Sequence, residues 1–303
     1  MTVTKVCVNS LSNLGHAGCD TINPFLDVSG LLITSSDFSI DTYTNLALQA
    51  TFTNAIKAGT MFVLQDLYEM EDQSTETQYY ESPNERRIPR RNGKYRYLYK
   101  FILPFEVHKR LQSFTNANVK VIPFDNDGNI KVYSANGVLS TGFSVSMIKA
   151  EKMSEALPDG TPAFSPLVID FDNAQEWNEY GVYVKPTWSP EDLRDLAPVD
   201  VAIVGSASAT AFTASVYYDN GLSSDGSVNN VGIAGLVKAD FLSLTAAGAS
   251  QDSAIDTVTD NGDGTYTFAC TGFATGTLTL VAPASLSSGL LIKSSGTATV
   301  TVV

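Results

Sequence analysis

The sequence has too few histidines and cysteines for most metal and disulfide chemistry. Among its 303 residues, His16 and His108 are the only two histidines, and its 3 cysteines include no CxxC pair. Neither a multi-histidine metal site nor a disulfide framework is expected, and folding in a reducing cytoplasm is the simpler interpretation. Cys19 lies near His16 in the sequence, but this proximity does not make a Cys-His dyad. We expect His108, beside Lys109 and Arg110 on a predicted helix, to be a partly exposed structural residue.

Signatures of catalysis and of membrane insertion are also missing. No GxSxG, P-loop or GxGxxG motif occurs, and no run of about 18 apolar residues predicts a membrane span. The opening residues 1–6 lack the apolar stretch of a secretory signal, so we expect synthesis in the cytoplasm. Asp170, Asp172, Glu176 and Glu179 form an acidic group of the kind that glycosidases use in pairs. Such a group at a helix start more often forms a cap and a solvated face, so we predict no catalytic residue, cofactor or metal.

Basic residues are scarce in the last third of the chain. The formal net charge is −13, which disfavours the whole protein as a binder of nucleic acid or of an anionic membrane. Beyond Arg194 there is no arginine, and lysine occurs only at Lys238 and Lys293. This change of composition predicts two domains, a β-rich domain over residues 1–196 and a β-sandwich over 197–303.

Alternating apolar patterns dominate the first domain and predict a mainly β fold, a sandwich or barrel. One short helix is expected over residues 104–114, because Val107, Leu111 and Phe114 have helical spacing after Pro104. Asp172 is expected to cap a second short helix that runs to Tyr180. Strands are predicted near residues 25–33, 46–56, 61–68, 94–103, 119–124, 130–133, 141–152, 164–171 and 182–188, and a small helix is expected from Ser189 to Leu196.

Short strands separated by glycine and asparagine turns fill the second domain and predict its sandwich. Two loops, Asp125–Asn129 and Asp260–Gly264, also raise the question of calcium. In the first loop glycine comes fourth, whereas an EF-hand loop requires it sixth and a glutamate twelfth. Both loops are therefore expected to be hairpin turns, and the sequence leaves open whether either binds an ion.

The stretch Glu69–Tyr99 is unusual because its charge changes sign along its length. Acidic residues come first, Ser82-Pro83-Asn84 predicts a turn, and a basic run follows. Apolar residues are too sparse in it to form a core. Two extended legs of about a dozen residues reach roughly 40 Å. A compact domain of about 200 residues has a radius of gyration of only roughly 16 Å. We therefore predict a long hairpin arm that extends beyond its own domain.

One end of the arm is expected to be anchored in the core. Tyr95, Tyr97, Tyr99 and Phe101 share one face of a predicted strand, opposite a cationic face. A row of aromatic residues facing the core is favoured over a platform for stacking nucleic-acid bases.

A nucleic-acid patch is the alternative interpretation of the basic leg. The acidic leg precedes it by only a few residues, so a hairpin would largely cancel its field. Complementary charge offered to an identical neighbour explains the arm better, and a closed ring would repeat each contact by symmetry. The predicted subunit interface consists of Glu71, Asp72, Glu76, Arg86, Arg87, Arg90, Arg91 and Lys94.

These features together resemble a known family. An all-β domain with a short helix, a long charged hairpin arm, no catalytic set and an appended immunoglobulin-like sandwich resembles the major tail tube proteins of tailed bacteriophages. The segments Leu157-Pro-Asp-Gly-Thr-Pro-Ala and Val168-Ile-Asp-Phe-Asp-Asn-Ala-Gln-Glu-Trp-Asn are similar to segments of phage virion structural proteins.

The resemblance implies a function in the virion tail. Members of the family assemble into hexameric rings that stack into a tube, and DNA passes through the tube without sequence-specific binding. A long loop joins neighbouring subunits, the sandwich decorates the outside, and other tail proteins are partners. Head decoration proteins, tail connectors and glycan-binding adhesins of virions remain alternatives, and the sequence leaves the ring symmetry, the host and the ligand of the sandwich open.

Overall fold

The structure is a computed structural model, and it describes residues 27–81, 87–91, 93–135, 137–156, 158, 160–218 and 231–303. His16 and two of the cysteines, Cys7 and Cys19, lie outside the described residues. Strands account for 44% of the residues and helices for 15%, so the predicted mainly β fold is confirmed. The chain forms two compact units, Met1–Arg194 and Asp195–Val303, which divide close to the predicted domain boundary.

The first unit has eleven described strands and four short helices. The helices are α1 (Tyr43–Leu46), α2 (Gln49–Lys57), α3 (Phe105–Leu111) and α4 (Ala174–Asn178). The strands are β1 (Val28–Ser35), β2 (Met61–Leu64), β3 (Leu67–Asp72), β4 (Gln78–Glu81), β5 (Arg87–Arg91), β6 (Arg96–Phe101), β7 (Val119–Asp125), β8 (Ile130–Tyr133), β9 (Phe143–Ala150), β10 (Ser165–Phe171) and β11 (Gly181–Val184).

Nine of these strands form one sheet, which curls into a half-barrel. The order along its main path is β11-β8-β7-β9-β10-β6-β3, while β1 pairs with β7 and with β2. Both β8 and β9 pair with β7, β8 at Phe124 and β9 at Lys120 and Val121. Because β1 occupies the other edge of β7 along its whole length, β8 and β9 must share one edge, and the sheet bends between them.

The core of the first unit consists mainly of aromatic and aliphatic side chains from these strands. Every residue of β10 is buried, as the apolar run at 164–171 predicted. Leu111 of α3 is 3% exposed, and Val107 and Phe114 are half-buried, so the predicted amphipathic helix is confirmed. His108 is also buried, with 3% exposure and no hydrogen-bond partner for its Nδ1. The expectation that it would be partly exposed was wrong.

The strand predicted over residues 46–56 was also wrong, because this segment forms helices α1 and α2. Phe52, Ala55 and Ile56 are the buried residues of α2, and their spacing of three and one places them on one helical face. Helix-favouring alanine, leucine and glutamine outweigh the threonines that suggested a strand. The helix ends at Lys57, and the N–H of the following residue, Ala58, donates to the carbonyl of Asn54 at 2.9 Å.

Three smaller boundaries also differ from the sequence-based expectation. The segment predicted as one strand over 61–68 is broken at Asp66, whose φ of 60° ends β2 before β3 begins. Asn173 rather than Asp172 caps α4, because its side chain accepts a hydrogen bond from the N–H of Gln175. The helix predicted from Ser189 is a single 3-10 turn over Pro190–Asp192.

The second unit is a β-sandwich of two sheets. The larger sheet has the order β15-β16-β13-β12-β18 and the smaller has the order β14-β17-β19. Their strands are β12 (Ala197–Val204), β13 (Ala211–Tyr218), β14 (Phe241–Thr245), β15 (Ile255–Asp260), β16 (Thr265–Cys270), β17 (Gly276–Leu280), β18 (Ile292–Ser294) and β19 (Ala298–Val300). The pairing of β12 with β18 is parallel, and the other pairs within the two sheets are antiparallel.

Aromatic rings fill the space between the two sheets of this sandwich. Phe212 and Phe268 are stacked 4.5 Å apart, and Phe241 of the smaller sheet contacts Phe268 of the larger sheet at 5.0 Å. Tyr266 is fully buried, donates its hydroxyl to the carbonyl of Ile233, and has its pKa raised to about 12 by burial. The second unit therefore has a hydrophobic core of its own.

Candidate assembly interface

The described parts of the segment Glu69–Tyr99 pair as the two legs of the predicted hairpin arm, and the turn predicted at Ser82-Pro83-Asn84 lies outside the described residues. Its root is the antiparallel pair β3 and β6, in which Asp72 lies opposite Tyr97. Its outer part is the separate two-stranded pair β4 and β5, in which Gln78 lies opposite Arg91 and Glu81 opposite Arg87. The legs therefore remain paired beyond the edge of the large sheet.

Hydrogen bonds between the legs join the root to the outer part. The N–H of Gln73 donates to the carbonyl of Arg96 at 2.9 Å, and that of Thr75 to the carbonyl of Lys94 at 3.0 Å. A β-carbon at Gly93 would lie 2.1 Å from the carbonyl oxygen of Thr75. Only glycine allows the two backbones to approach this closely. Glycine at residue 93 therefore permits the legs to stay together between the β3–β6 pair and the β4–β5 pair.

Three ion pairs, made by two basic residues, anchor the outer face of the arm root. Arg96 of β6 forms a two-point contact with Asp170 of β10, with Nε–Oδ1 at 2.5 Å and Nη2–Oδ2 at 2.7 Å. The hydrogen bond with Asp170 raises the pKa of Arg96. Lys100 contacts Glu69 at 2.8 Å and Glu71 at 3.1 Å, and the hydrogen bond with Glu69 raises the pKa of Lys100.

Aromatic packing anchors the inner face of the same root. Tyr99 and Phe101 are buried, and Tyr95 and Tyr97 are half-buried against the same core, so the predicted core-facing aromatic row is confirmed. Trp177 of α4 lies 6.4 Å from the Tyr95 ring and 6.0 Å from the Tyr97 ring. Burial raises the pKa of Tyr97, which keeps the phenol neutral and suited to packing.

The eight predicted interface residues occupy three different environments. Glu71 is used within the chain by Lys100, and Asp72 accepts a hydrogen bond from the N–H of Ser74 at 2.8 Å. Glu76 and Lys94 are exposed. Arg87, Arg90 and Arg91 lie along β5, where the structure describes their backbone, and Arg86 lies outside the described residues.

Exposed tyrosines on the arm were not predicted from the sequence. Tyr79 and Tyr80 of β4 are 57% and 56% exposed, and Tyr68 of β3, just before the arm, is 51% exposed. Met70 of β3 is 41% exposed. Tyrosine is enriched where proteins bind each other, because its ring buries apolar area while its hydroxyl remains hydrogen-bonded. The sequence did contain one signal of this exposure. The tyrosines lie on an arm whose outer part has too few apolar residues to form a core.

A cleft of about 440 Å³ opens between the arm root and α4. Glu76, Thr77 and Tyr95 of the arm line one side, and Gln175 and Glu179 line the other. The hydroxyl of Tyr95 accepts a hydrogen bond from the Nδ2 of Asn178 at 2.8 Å, which ties the two sides together. The second wall is formed by residues in and just after α4, namely Ala174, Gln175, Asn178 and Glu179.

Two of the four acidic residues considered as a glycosidase pair, Asp170 and Glu176, make structural contacts. Asp170 is bound by Arg96. The carboxylate of Glu176 accepts hydrogen bonds from the N–H and the hydroxyl of Ser144, at 2.8 and 3.0 Å. These bonds fasten α4 to β9, and Glu179 lies apart on the wall of the cleft. The contacts of Asp170 and Glu176 therefore stabilise the packing of β10, β9 and α4.

The two aspartate-rich loops are hairpin turns whose carboxylates bind the loop backbone. Asp125 accepts from the N–H of Asn129 at 2.7 Å and from its side-chain amide at 2.8 Å. Asp260 accepts from the N–H of Gly262, and Asp263 from that of Thr265. Within the described part of the chain, no three histidine, cysteine or acidic side chains are grouped so that they could hold a metal ion.

The helices described in this structure are all too short or too polar to cross a lipid bilayer. Comparison with known proteins adds no assignment. No family model matches the chain, and a search of curated proteins finds no match.

Proposed function

We propose that this chain is a self-assembling structural protein of a virion, the tail tube subunit of a tailed bacteriophage. Copies join into rings, with the hexamer that the family resemblance implies, and the rings stack into a tube that DNA passes through. The observation that carries the proposal is the hairpin arm, which continues as a paired two-stranded ribbon beyond the large sheet.

The outer part of the arm is poorly suited to exist without a partner. An isolated two-stranded hairpin is marginally stable in water, and β4 has every residue exposed. Tyr79 and Tyr80 leave more than half of their surface uncovered, and contact with a neighbour would cover this apolar surface. We propose a second copy of the chain as the partner, because its acidic and basic residues complement the basic and acidic legs of the arm.

The charge balance of the arm favours a protein partner over nucleic acid. Glu69 and Glu71 surround Lys100 within 3.1 Å, so the cationic face of the root is neutralised. The formal net charge of −13 disfavours phosphate binding by the chain as a whole. A tube with such subunits would let DNA pass without holding it, and other tail proteins are further proposed partners.

The second unit is proposed as a decoration domain that assembly does not require. It has a complete core of its own, including Phe212, Phe241 and Phe268, so its fold does not depend on a neighbouring subunit. A self-contained sandwich also suits a glycan-binding virion protein, either a head decoration protein or an adhesin. Gold-labelled antibody on the virion distinguishes these locations, because label on heads or fibres supports the alternative and label along the tail supports the tube.

The arm is tested by reversing its basic charge. A variant with Arg86, Arg87, Arg90 and Arg91 changed to glutamate should fold normally by circular dichroism and fail to form rings or tubes in electron micrographs. Lys152→Glu, which reverses a single exposed charge outside the arm, is a control for position and should assemble as the parent does. Normal tubes from the arm variant would show that the arm does not drive assembly.

A further inference from the structure

The side chain of Lys131 on β8 ends in a cage of three aromatic rings, called here the aromatic cage. Its Nζ lies 3.5 Å from the centre of the Trp177 ring, 5.4 Å from that of Tyr183 and 5.6 Å from that of Phe143. Tyr183 lies directly opposite Lys131 in the β8–β11 pair, whereas Phe143 begins β9 and Trp177 belongs to α4. The fold therefore brings rings from three separate elements around one amine.

The amine in this cage has no acidic partner among the described residues. The carboxylates of Glu176 on α4 and Asp125 on β7 accept their hydrogen bonds from other groups, and burial raises the pKa of Tyr183 so that its phenol stays neutral. Burial alone lowers the pKa of Lys131 to about 7, without an opposing charge. A buried amine that is neutral near pH 7 can act as a nucleophile.

A narrow opening leaves this amine within reach of a small molecule. Lys131 keeps 4% of its surface exposed, and its Nζ is not one of the unpaired polar atoms that the described chain encloses completely. A β-carbon at Gly181 would lie 3.1 Å from the Cε of Lys131, so glycine at this position leaves room beside the lysine stem. An opening of this kind admits a molecule of a few heavy atoms and excludes a peptide or a sugar.

We infer that Lys131 is a site of covalent modification by small aldehydes. The lone pair of the neutral Nζ attacks the carbonyl carbon and forms a C–N bond, and the resulting carbinolamine loses the former carbonyl oxygen as water. The product is an imine, which takes up one proton from solvent and becomes an iminium cation. The step is a condensation and consumes neither an oxidant nor a reductant.

The aromatic cage suits the iminium product better than it suits the ammonium of lysine. An iminium spreads its charge over carbon and nitrogen and is less strongly hydrated than a primary ammonium, so it loses less hydration energy on burial. Aromatic faces attract such cations, and they do so most strongly where water is excluded. Exclusion of water also slows hydrolysis of the imine back to the aldehyde.

Reductive trapping measures the reactivity of each lysine in the folded chain. The full chain is treated briefly with acetaldehyde and cyanoborohydride, which reduces an iminium to an N-ethyl amine that mass spectrometry locates after digestion. At about pH 7.5 roughly three-quarters of the Lys131 amines are neutral, against about one in a thousand for an ordinary lysine. Lys131 should therefore be ethylated at least about ten-fold faster than the exposed Lys152 and Lys185, even though its lower basicity and the narrow opening reduce this advantage.

The same reaction in concentrated urea shows whether the advantage comes from the fold. Lys131 should react there at the rate of Lys152 and Lys185, because the unfolded chain has no aromatic cage. Equal rates for the three lysines in the folded chain overturn the inference. An advantage of Lys131 that persists in urea also overturns it, since neighbouring residues in the sequence would then be the cause.

A titration without cyanoborohydride tests whether the imine forms reversibly. Acetaldehyde should change the tryptophan fluorescence of the parent protein with a saturating dependence on concentration, because Trp177 contacts the reacting amine, and dialysis should reverse the change. Lys131→Met keeps an unbranched stem and lacks the amine, so it should show no saturating change. A saturating change of the same size in Lys131→Met places the aldehyde elsewhere and overturns the inference. These measurements need no assembly of the chain, so their failure leaves the tube proposal standing.

Discussion

Arg96 and Asp170 connect the root of the arm to the most buried strand of the large sheet. The guanidinium of Arg96 binds both carboxylate oxygens of Asp170, at 2.5 and 2.7 Å, and the side chain of Asp170 is only 7% exposed. A buried carboxylate that loses its partner is left with an uncompensated charge. The pair therefore links the orientation of the arm to the stability of the domain.

Replacement of Arg96 by methionine should lower the free energy of unfolding of the first unit by about 2 kcal/mol, the value of a hydrogen bond to a charged group. The two tryptophans, Trp177 and Trp188, both belong to this unit, so their fluorescence in urea reports its unfolding alone. Lys149→Met is the control, because the Lys149–Glu151 pair is about half-exposed at 3.6 Å and should contribute at most about 1 kcal/mol. Equal losses in the two variants would contradict the anchoring role.

Lys131 lies among aromatic rings, and the cost of burying its charge is a second testable effect on the stability of the first unit. Its Nζ lies 3.5 Å from the centre of the Trp177 ring, with the rings of Phe143 and Tyr183 within 5.6 Å. The residue is 4% exposed, and burial lowers the pKa of Lys131 to about 7. In the unfolded chain the amine titrates near its ordinary value of 10.5.

Between these two pKa values the unfolded state binds more protons than the folded state, so the free energy of unfolding should rise from about pH 7 to about pH 10.5. Below pH 7 both states are protonated, and the full cost of burying the charge remains. Lys131→Met should remove this slope and stabilise the first unit at pH 7 by about 1–3 kcal/mol. Parallel pH profiles for Lys131→Met and the parent would contradict the burial account.

Local patterns in the sequence were sufficient to predict an element where the residues fit only one kind of secondary structure. The alternation from Tyr95 to Phe101 and the run in β10 each had one reasonable interpretation, and both strands formed. The pattern of segment 46–56 was not sufficient, because its apolar residues fit strand and helix spacing about equally. Phe52 and Ile56 are buried on one helical face, and tertiary packing decided between two local preferences.

The candidate site was predicted only in part, for a related reason. The arm and its charges are visible in the sequence because they are continuous along the chain. The cleft joins residues about a hundred positions apart, Glu76 and Glu179, and the cage around Lys131 joins strands and a helix from distant segments. No local pattern marks such a meeting, since only the folded sheet brings α4 to the arm root.

The exposed tyrosines of the arm should contribute to assembly and not to folding. Changing Tyr79 and Tyr80 to serine removes two rings that are more than half exposed, so the tryptophan-detected unfolding midpoint should stay within error of the parent value. The concentration needed for assembly, measured by light scattering, should rise at least about ten-fold, because interface tyrosines are frequent hot spots. Tyr218→Ser, which changes a partly exposed tyrosine of the second unit, is the matched control. An unchanged assembly threshold in the arm variant would remove the tyrosines from the interface.

Removal of the second unit should leave assembly largely intact. A chain that ends at Arg194 keeps every strand of the large sheet and of the arm. Its tubes should be thinner in negative-stain images, because the sandwich is absent, while their axial repeat should match that of the full chain. A truncated chain that remains folded by tryptophan fluorescence but stays monomeric would show that the sandwich takes part in assembly.

The central claim is that this chain assembles with itself through the arm. Electron microscopy of the purified parent protein over a range of concentrations, with sedimentation velocity on the same samples, tests it most directly. The account predicts rings that stack into tubes as the concentration rises, and their loss in the Arg87→Glu, Arg90→Glu variant. A parent protein that sediments as a single monomeric species at the highest concentration, with no rings in the micrographs, would contradict it.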